Sequence, residues 1–222
     1  MNYFEDILYR SSKALHLSLG ERECSMLRLY HDELLFWNRK MSLVSVKTPL
    51  DLPMKHFVDS LAVVPFINNE DVGTLLDIGS GAGFPGLPIK IAINSLSVTL
   101  VDASRKKTSF LKHIIRKLCL DDVSVINGRI ETLAEHEEYR GSFDMVISRA
   151  SFKLPLFLEL GIPFVSNGGT LIAMKGPNIK EEMVSSEAIA KQLGLYLSEC
   201  HLVTLPLTGD RRSVICFKKY PL

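Results

Sequence analysis

The chain has 222 residues, 46% hydrophobic and 23% charged, with 26 Lys and Arg against 25 Asp and Glu for a net charge of +1, and a mean hydropathy of +0.15. This composition excludes a disordered chain, which needs few apolar residues and a large net charge. It also excludes a global basic field, so any contact with a polyanion must come from a local patch. Apolar runs such as residues 61–67 fall short of the ~18 residues of a membrane span. The N-terminus lacks the basic and then apolar signature of a signal peptide. Cys24, Cys119, Cys200 and Cys216 form no C-x-x-C pair. The expectation is a reduced, cytoplasmic protein with no disulfide framework, no metal site and no membrane partner.

Residues 1–72 read as helical, with no strand pattern. The spacing Ser18-Leu19-Gly20-Glu21 predicts a capping box, in which a hydroxyl and a carboxylate each satisfy a helix-start amide. Behind it Leu27, Tyr30, Leu34, Trp37 and Met41 recur every three or four residues and predict one buried helix face. His56 and Asp59 stand at i and i+3 on one helix face, in a spacing that suits either a dyad or a structural hydrogen bond.

From residue 73 to 222 short β runs alternate with helical ones. Residues 74–78, 97–101, 123–126, 143–147 and 170–174 read as strands, and 105–118 as an amphipathic helix. Continuous apolar strands between helices indicate a parallel sheet covered on both faces. Residues 195–205 and 213–218 read as two further strands joined by a short connection around Gly209, which suits an antiparallel hairpin at one sheet edge. The expectation is a Rossmann-like α/β fold: a mostly parallel seven-stranded sheet, an antiparallel edge strand and an N-terminal helical extension packed on it.

The sharpest motif is Asp77-Ile78-Gly79-Ser80-Gly81-Ala82-Gly83-Phe84-Pro85-Gly86, at the exit of the first β run. Glycines let the backbone turn tightly and approach a bound group. The second strand then ends at Asp102, where a carboxylate can accept from ribose hydroxyls. Two cofactor readings compete. Gly81-x-Gly83-x-x-Gly86 matches the dinucleotide fingerprint, whose helix N-terminus receives a pyrophosphate. Against this, Pro85 and Pro88 interrupt the region where that helix should begin, and the carboxylate of Asp77 would repel a pyrophosphate. The order acid-x-Gly-x-Gly-x-Gly suits a cationic, amino-acid-bearing cofactor, S-adenosylmethionine. A tight turn with no ligand is the third alternative.

Further motifs occur in order: Trp37-Asn38-Arg39 with Ser42-Leu43-Val44, His56-x-x-Asp59-Ser60, Lys106-Lys107 before Phe110-Leu111, Arg129-x-Glu131, Ser148-Arg149-Ala150 and Lys175-Gly176. With the glycine loop they make the chain resemble, from about Trp37 to Lys218, the glucose-inhibited-division-protein-B family of bacterial small-subunit ribosomal RNA guanine-N7 methyltransferases. The resemblance implies an S-adenosylmethionine-dependent enzyme acting on small-subunit rRNA, with cofactor contacts at Gly79, Phe84, Ile130, Glu131 and Arg149. Gly81, Gly83 and Asp102 join that set from the motif itself. The family often has Asn at position 42 and Ser at position 103, where this chain has Ser42 and Ala103.

The residues are compatible with those roles. Ile130 and Glu131 follow the third strand, where an apolar wall and a polar end can bracket an adenine. Arg149 follows the fourth and can pair with a carboxylate or a phosphate, or form a surface ion pair. Arg211-Arg212 and Lys175 are expected to face the site; Lys106 and Lys107 read as a cationic helix start. Guanine N7 carries no proton, so no catalytic acid or base is named. The RNA is expected to be met within a ribosomal particle, because a net charge of +1 supplies little unspecific attraction. The alternatives are a methyltransferase for another RNA site or a small molecule, an NAD-dependent oxidoreductase, and a noncatalytic RNA-binding module. Nothing in the sequence speaks to the oligomeric state.

Overall fold

The computed structural model describes residues 3–67 and 73–221. The expected boundary at residue 72 lies outside the described residues.

Among residues 3–67 there is no strand. Helices α1 (Tyr3–Ala14) and α2 (Glu21–Met41) are followed by a π-helical turn (Pro53–Val58), a single α turn, α3 (Asp59–Leu61), and a 3-10 turn (Val64–Phe66). The cap of α2 differs from the sequence expectation. The helix starts at Glu21 behind Gly20, so Glu23 stands three residues inside, and its carboxylate accepts from the Gly20 amide at 2.9 Å. Ser18 is two residues too early to cap. Leu27, Tyr30 and Leu34 are buried, and Trp37 packs on Phe110 and His113. Met41, in the last turn, is 37% exposed and leaves the expected seam. Ser42 closes the helix in the left-handed region (φ 49°), its amide donating to the Asn38 carbonyl.

The rest of the chain forms a seven-stranded sheet: β1 (Thr74–Ile78), β2 (Ser97–Asp102), β3 (Val123–Asn127), β4 (Phe143–Arg149), β5 (Val165–Lys175), β6 (Leu195–Thr204) and β7 (Arg211–Lys219), in the order β3-β2-β1-β4-β5-β7-β6. The first five strands are parallel, and β7 runs antiparallel to both β5 and β6. This is the expected mixed sheet, with the β6–β7 hairpin at its edge. Helices α4 (Gly86–Ala92), α5 (Arg105–Lys117), α6 (Ile130–Leu133), α7 (Leu154–Gly161) and α8 (Lys180–Gln192) fill the crossovers. Pro88 does not prevent α4: it stands in the first turn, where an amide hydrogen has no helical partner to lose.

Side chains alternate across the sheet, so β1 serves two cores. Leu75 joins the face shared with α2, α4 and α5, while Leu76 and Ile78 join the face with α6, α7 and α8. The first core runs unbroken from Phe4, Tyr30 and Phe57 to Phe84, Phe110 and Ile147. Tyr30 is its centre, with ring centroids 5.0 Å from Phe57 and 5.3 Å from Phe84. The N-terminal helices therefore supply core to the sheet rather than standing apart. No helix among the described residues is long and apolar enough to cross a membrane.

Candidate active site

The strand order reverses at β1, with β2 on one side and β4 on the other. Ligands of open α/β sheets bind at such a point, beyond the carboxyl ends of the strands. A cleft of about 450 Å³ lies there, lined by Ile78, Gly79, Val101, Asp102, Ala103, Lys107, Gly128, Arg129, Ile130, Glu131, Ser151 and Phe152.

The outer half of the glycine loop is laced to the end of β2. The amides of Gly79 and Ser80 both donate to the Val101 carbonyl, at 2.9 and 3.0 Å. Gly79 adopts φ +71°, and a Cβ there would lie 2.8 Å from Ser151 Oγ. Asp102 ends β2; its Oδ2 accepts from the Gly81 amide and its Oδ1 from the Ser104 amide, each at 2.8 Å. Lys107 Nζ stands 3.7 Å from Oδ2. Each carboxylate oxygen keeps acceptor capacity for a ligand hydroxyl.

The inner half faces the other way. Gly83 adopts φ +102°, and a Cβ would meet Tyr30 Oη at 2.5 Å and Leu87 Cδ1 at 2.7 Å. Phe84 is 4% exposed and stacks on Tyr30. The Tyr30 hydroxyl donates to the Ala82 carbonyl, so α2 holds the loop from behind. Asp77 is fully buried, and its Oδ2 accepts from the Gly86 amide at 2.9 Å. Burial pushes its carboxyl up to about 7, against the opposing pull of the Gly86 amide and the Arg149 guanidinium. The first amide of α4 is thus occupied by a side chain and sealed in the core. A pyrophosphate cannot take that place, which removes the dinucleotide reading of Gly81-x-Gly83-x-x-Gly86.

Of the eight sequence candidates, Gly79, Asp102, Ile130 and Glu131 line the cleft, and Gly81 holds Asp102 from beside it. Gly83 and Phe84 lie behind the loop. The guanidinium of Arg149 turns away to the N-terminal segment, where it donates to Asp59 Oδ2 at 2.9 Å, to the Lys55 carbonyl at 2.6 Å and to His56 Nδ1 at 3.1 Å. Arg212 does not face the cleft either: its Nε donates to Asp59 Oδ1 at 3.0 Å. Lys175 bonds Glu182 at 2.7 Å. Asp59 thus accepts from two arginines, and His56 meets Arg149.

Sequence reasoning missed Ser151 and Phe152 as lining residues, named Ala103 only as a departure from the family and read Lys107 as part of a cationic cluster at a helix start. Their signal was position alone, since each follows a strand whose carboxyl end borders the cleft. The Ser151 hydroxyl reaches the Gly79 carbonyl at 3.1 Å and closes the wall between β1 and β4.

The arrangement offers an apolar wall (Ile78, Val101, Ile130, Phe152), two carboxylates (Asp102, Glu131) and a backbone surface without Cβ at Gly79. That donor set fits a nucleoside carrying a cationic amino-acid arm. Residues 23–208 match the family model described as rRNA small subunit methyltransferase G (GidB). The Ribosomal RNA small subunit methyltransferase G of Syntrophus aciditrophicus is 45% identical over 202 residues, 90% of this chain and 83% of that protein. Its counterpart in Alkaliphilus oremlandii is 36% identical over 215 residues, 97% of this chain and 90% of that protein. Among solved structures, a Bacillus cereus O-methyltransferase in complex with SAH superposes with a TM-score of 0.61 at 17% identity, covering 86% of this chain and 91% of that one. TYW2 from M. jannaschii, in complex with AdoMet, gives 0.55 at 16% identity, covering 73% and 74%. These two likenesses speak to the fold, which is that of methyltransferases, and the sequence relatives speak to the family: the chain belongs to the rRNA small subunit methyltransferase G family.

Proposed function

We propose that the protein transfers a methyl group from S-adenosylmethionine to N7 of a specific guanine in small-subunit rRNA. The observation that carries the donor part is the Asp102–Gly81 pair at the mouth of a cleft walled by Ile130 and Phe152. Asp102 accepts the ribose hydroxyls, the apolar wall takes the adenine, and Gly79 leaves room for the amino-acid arm. When bound, the donor supplies an electrophilic methyl on sulfur.

The chain's own work is to bind, orient and exclude water. N7 presents a free lone pair and no proton, so the reaction needs alignment rather than a base. The site agrees with that requirement. His56 is spent on Arg149, with burial and the guanidinium holding it down at about 4, and Asp59 is spent on two arginines.

Local charge supports an RNA partner. Lys107 and Arg129 line the cleft, and Arg39, Lys40, Arg105 and Lys106 are exposed. Lys106 Nζ donates to the Met41 carbonyl at 3.0 Å, which joins the basic end of α2 to the start of α5. With a net charge of +1, such a patch gives modest unspecific affinity, and the remaining selectivity comes from shape, as in an assembled ribosomal particle.

Two measurements test this reading. Isolated small subunits, deproteinised rRNA and a short hairpin with the same guanine are incubated with methyl-labelled donor, and the label is mapped. Label at one guanine N7, strongest on the particle, is expected; label on an exocyclic amine or a ribose would overturn the N7 assignment. Asp102→Ala is expected to weaken donor binding ~10–150-fold, the equivalent of one charge-assisted hydrogen bond. Unchanged donor affinity by calorimetry would remove Asp102 from the site.

A further inference from the structure

Asp59 ties together three parts of the chain that are distant in sequence. It is 5% exposed, and its two oxygens accept from Arg149 at the end of β4 and Arg212 in β7, at 2.9 and 3.0 Å. Among the described residues, the same short segment also supplies the Lys55 carbonyl at 2.6 Å and His56 Nδ1 at 3.1 Å as acceptors for the η nitrogens of Arg149. A guanidinium only donates, so the imidazole must accept, and His56 is the neutral tautomer with its proton on Nε2. The planar fork is held in one orientation.

That orientation is passed to the cleft by two residues. Ala150 follows Arg149 in the left-handed region, φ +54°, a conformation that is costly for an L-residue and persists where its neighbours over-determine it. On one side stands the anchored Arg149. On the other, Ser151 Oγ is shared between the Gly79 carbonyl at 3.1 Å and the Arg149 carbonyl at 3.2 Å. Both Gly79 and Ser151 line the cleft. For stability alone, a buried carboxylate between two guanidiniums often does no better than an apolar contact of similar volume. What it adds is direction.

We propose that Asp59 is a positioning residue of the methyl-donor cleft: from the N-terminal segment it fixes Arg149, and through Arg149 the Ala150–Ser151 turn that forms the cleft wall beside Gly79. The inference rests on the reading of the cleft as the donor site. It makes the N-terminal helices part of the donor site without touching the donor.

Asp59→Asn keeps the shape and one acceptor but removes the charge. Donor affinity, measured by calorimetry on the full chain, is expected to fall roughly 10-fold or more, as misplacement of a binding wall does. Leu27→Val, which thins the core packing of α2 away from this network, is expected to lower the melting temperature while leaving donor affinity within about two-fold. The decisive comparison is Asp59→Asn in a Ser151→Ala background. With the Gly79 tie already cut, the second change is expected to cost much less than it does alone. Donor affinity unchanged in Asp59→Asn, or losses in the double variant that simply multiply, overturns the inference and leaves Asp59 a docking contact. Should Asp59→Asn not fold, His56→Leu removes one Arg149 acceptor and is expected to weaken donor binding in the same direction; wild-type affinity in that variant overturns the inference equally. Failure of the wild-type protein to bind the donor would instead overturn the reading of the cleft on which the inference rests.

Discussion

The two halves of the glycine loop share one motif and do different work. Gly79 lines the cleft with its Cβ side closed against Ser151, and Gly81 stands beside it as the amide that holds Asp102. Gly83 and Gly86 stand in the core, packed against Tyr30, Leu87, Leu100 and Asp77 with no room for a Cβ. The glycines of a ligand-binding loop are thus not all ligand-binding glycines: the inner pair lets α2 and α4 close on the loop, and the closed loop then presents the outer pair. Changes to the inner half should appear in stability, and changes to the cleft in donor affinity.

The largest effect is expected at Gly83. An alanine there combines a positive φ with contacts of 2.5 and 2.7 Å, which together cost about 2–6 kcal/mol. Denaturant unfolding measures it. A loss below ~1 kcal/mol would mean that the inner half is looser than its packing indicates.

Asp77 comes next, because its cost varies with pH. Its carboxyl is raised from 3.8 to about 7 by burial, with Asp102 adding to the rise and Arg149 opposing it. Between these values the folded state holds a proton that the unfolded state has lost, so this group makes stability fall as pH rises from about 4 to about 7. Asp77→Asn keeps an acceptor for the Gly86 amide and removes the charge. Relative to wild type it is expected to gain stability with rising pH across that window. Parallel pH profiles of the two proteins would show that Asp77 stays ionised in the fold.

The smallest effect sharpens the other side of the comparison. Glu131 is exposed at the cleft. On the proposed reading, Glu131→Ala weakens donor binding ~10-fold, equivalent to ~1.4 kcal/mol, with folding stability within ~0.5 kcal/mol of wild type. A stability loss without an affinity loss would remove Glu131 from the donor site.

How far the sequence could be read follows the same division. The strands were legible because side chains alternate locally, and β1, β2, β4 and β5 carry apolar runs long enough to be covered on both faces, while β3, at the sheet edge, is buried less. Strand β5 extends back to Val165, through Gly168 and Gly169, beyond the expected start at Thr170. The cap of α2 was misread by two residues, since Ser18 and Gly20 are both acceptable cap residues and only the path of the chain selects between them.

Taken alone, the sequence determined the α/β order, the loop after β1 and the carboxylate at the end of β2, because each depends on periodicities and neighbours within a few residues. The tertiary structure alone decided where side chains at the strand ends point. Arg149 lies 90 residues from Asp59 and 93 from His56, and Arg212 lies 153 from Asp59. Local propensity says nothing about which of two faces such a side chain takes. That choice is made when α2 and the Pro53–Leu61 segment pack on the loop, seal Phe84 beneath Tyr30 and offer Asp59, a buried carboxylate that the half-buried guanidiniums of Arg149 and Arg212 share.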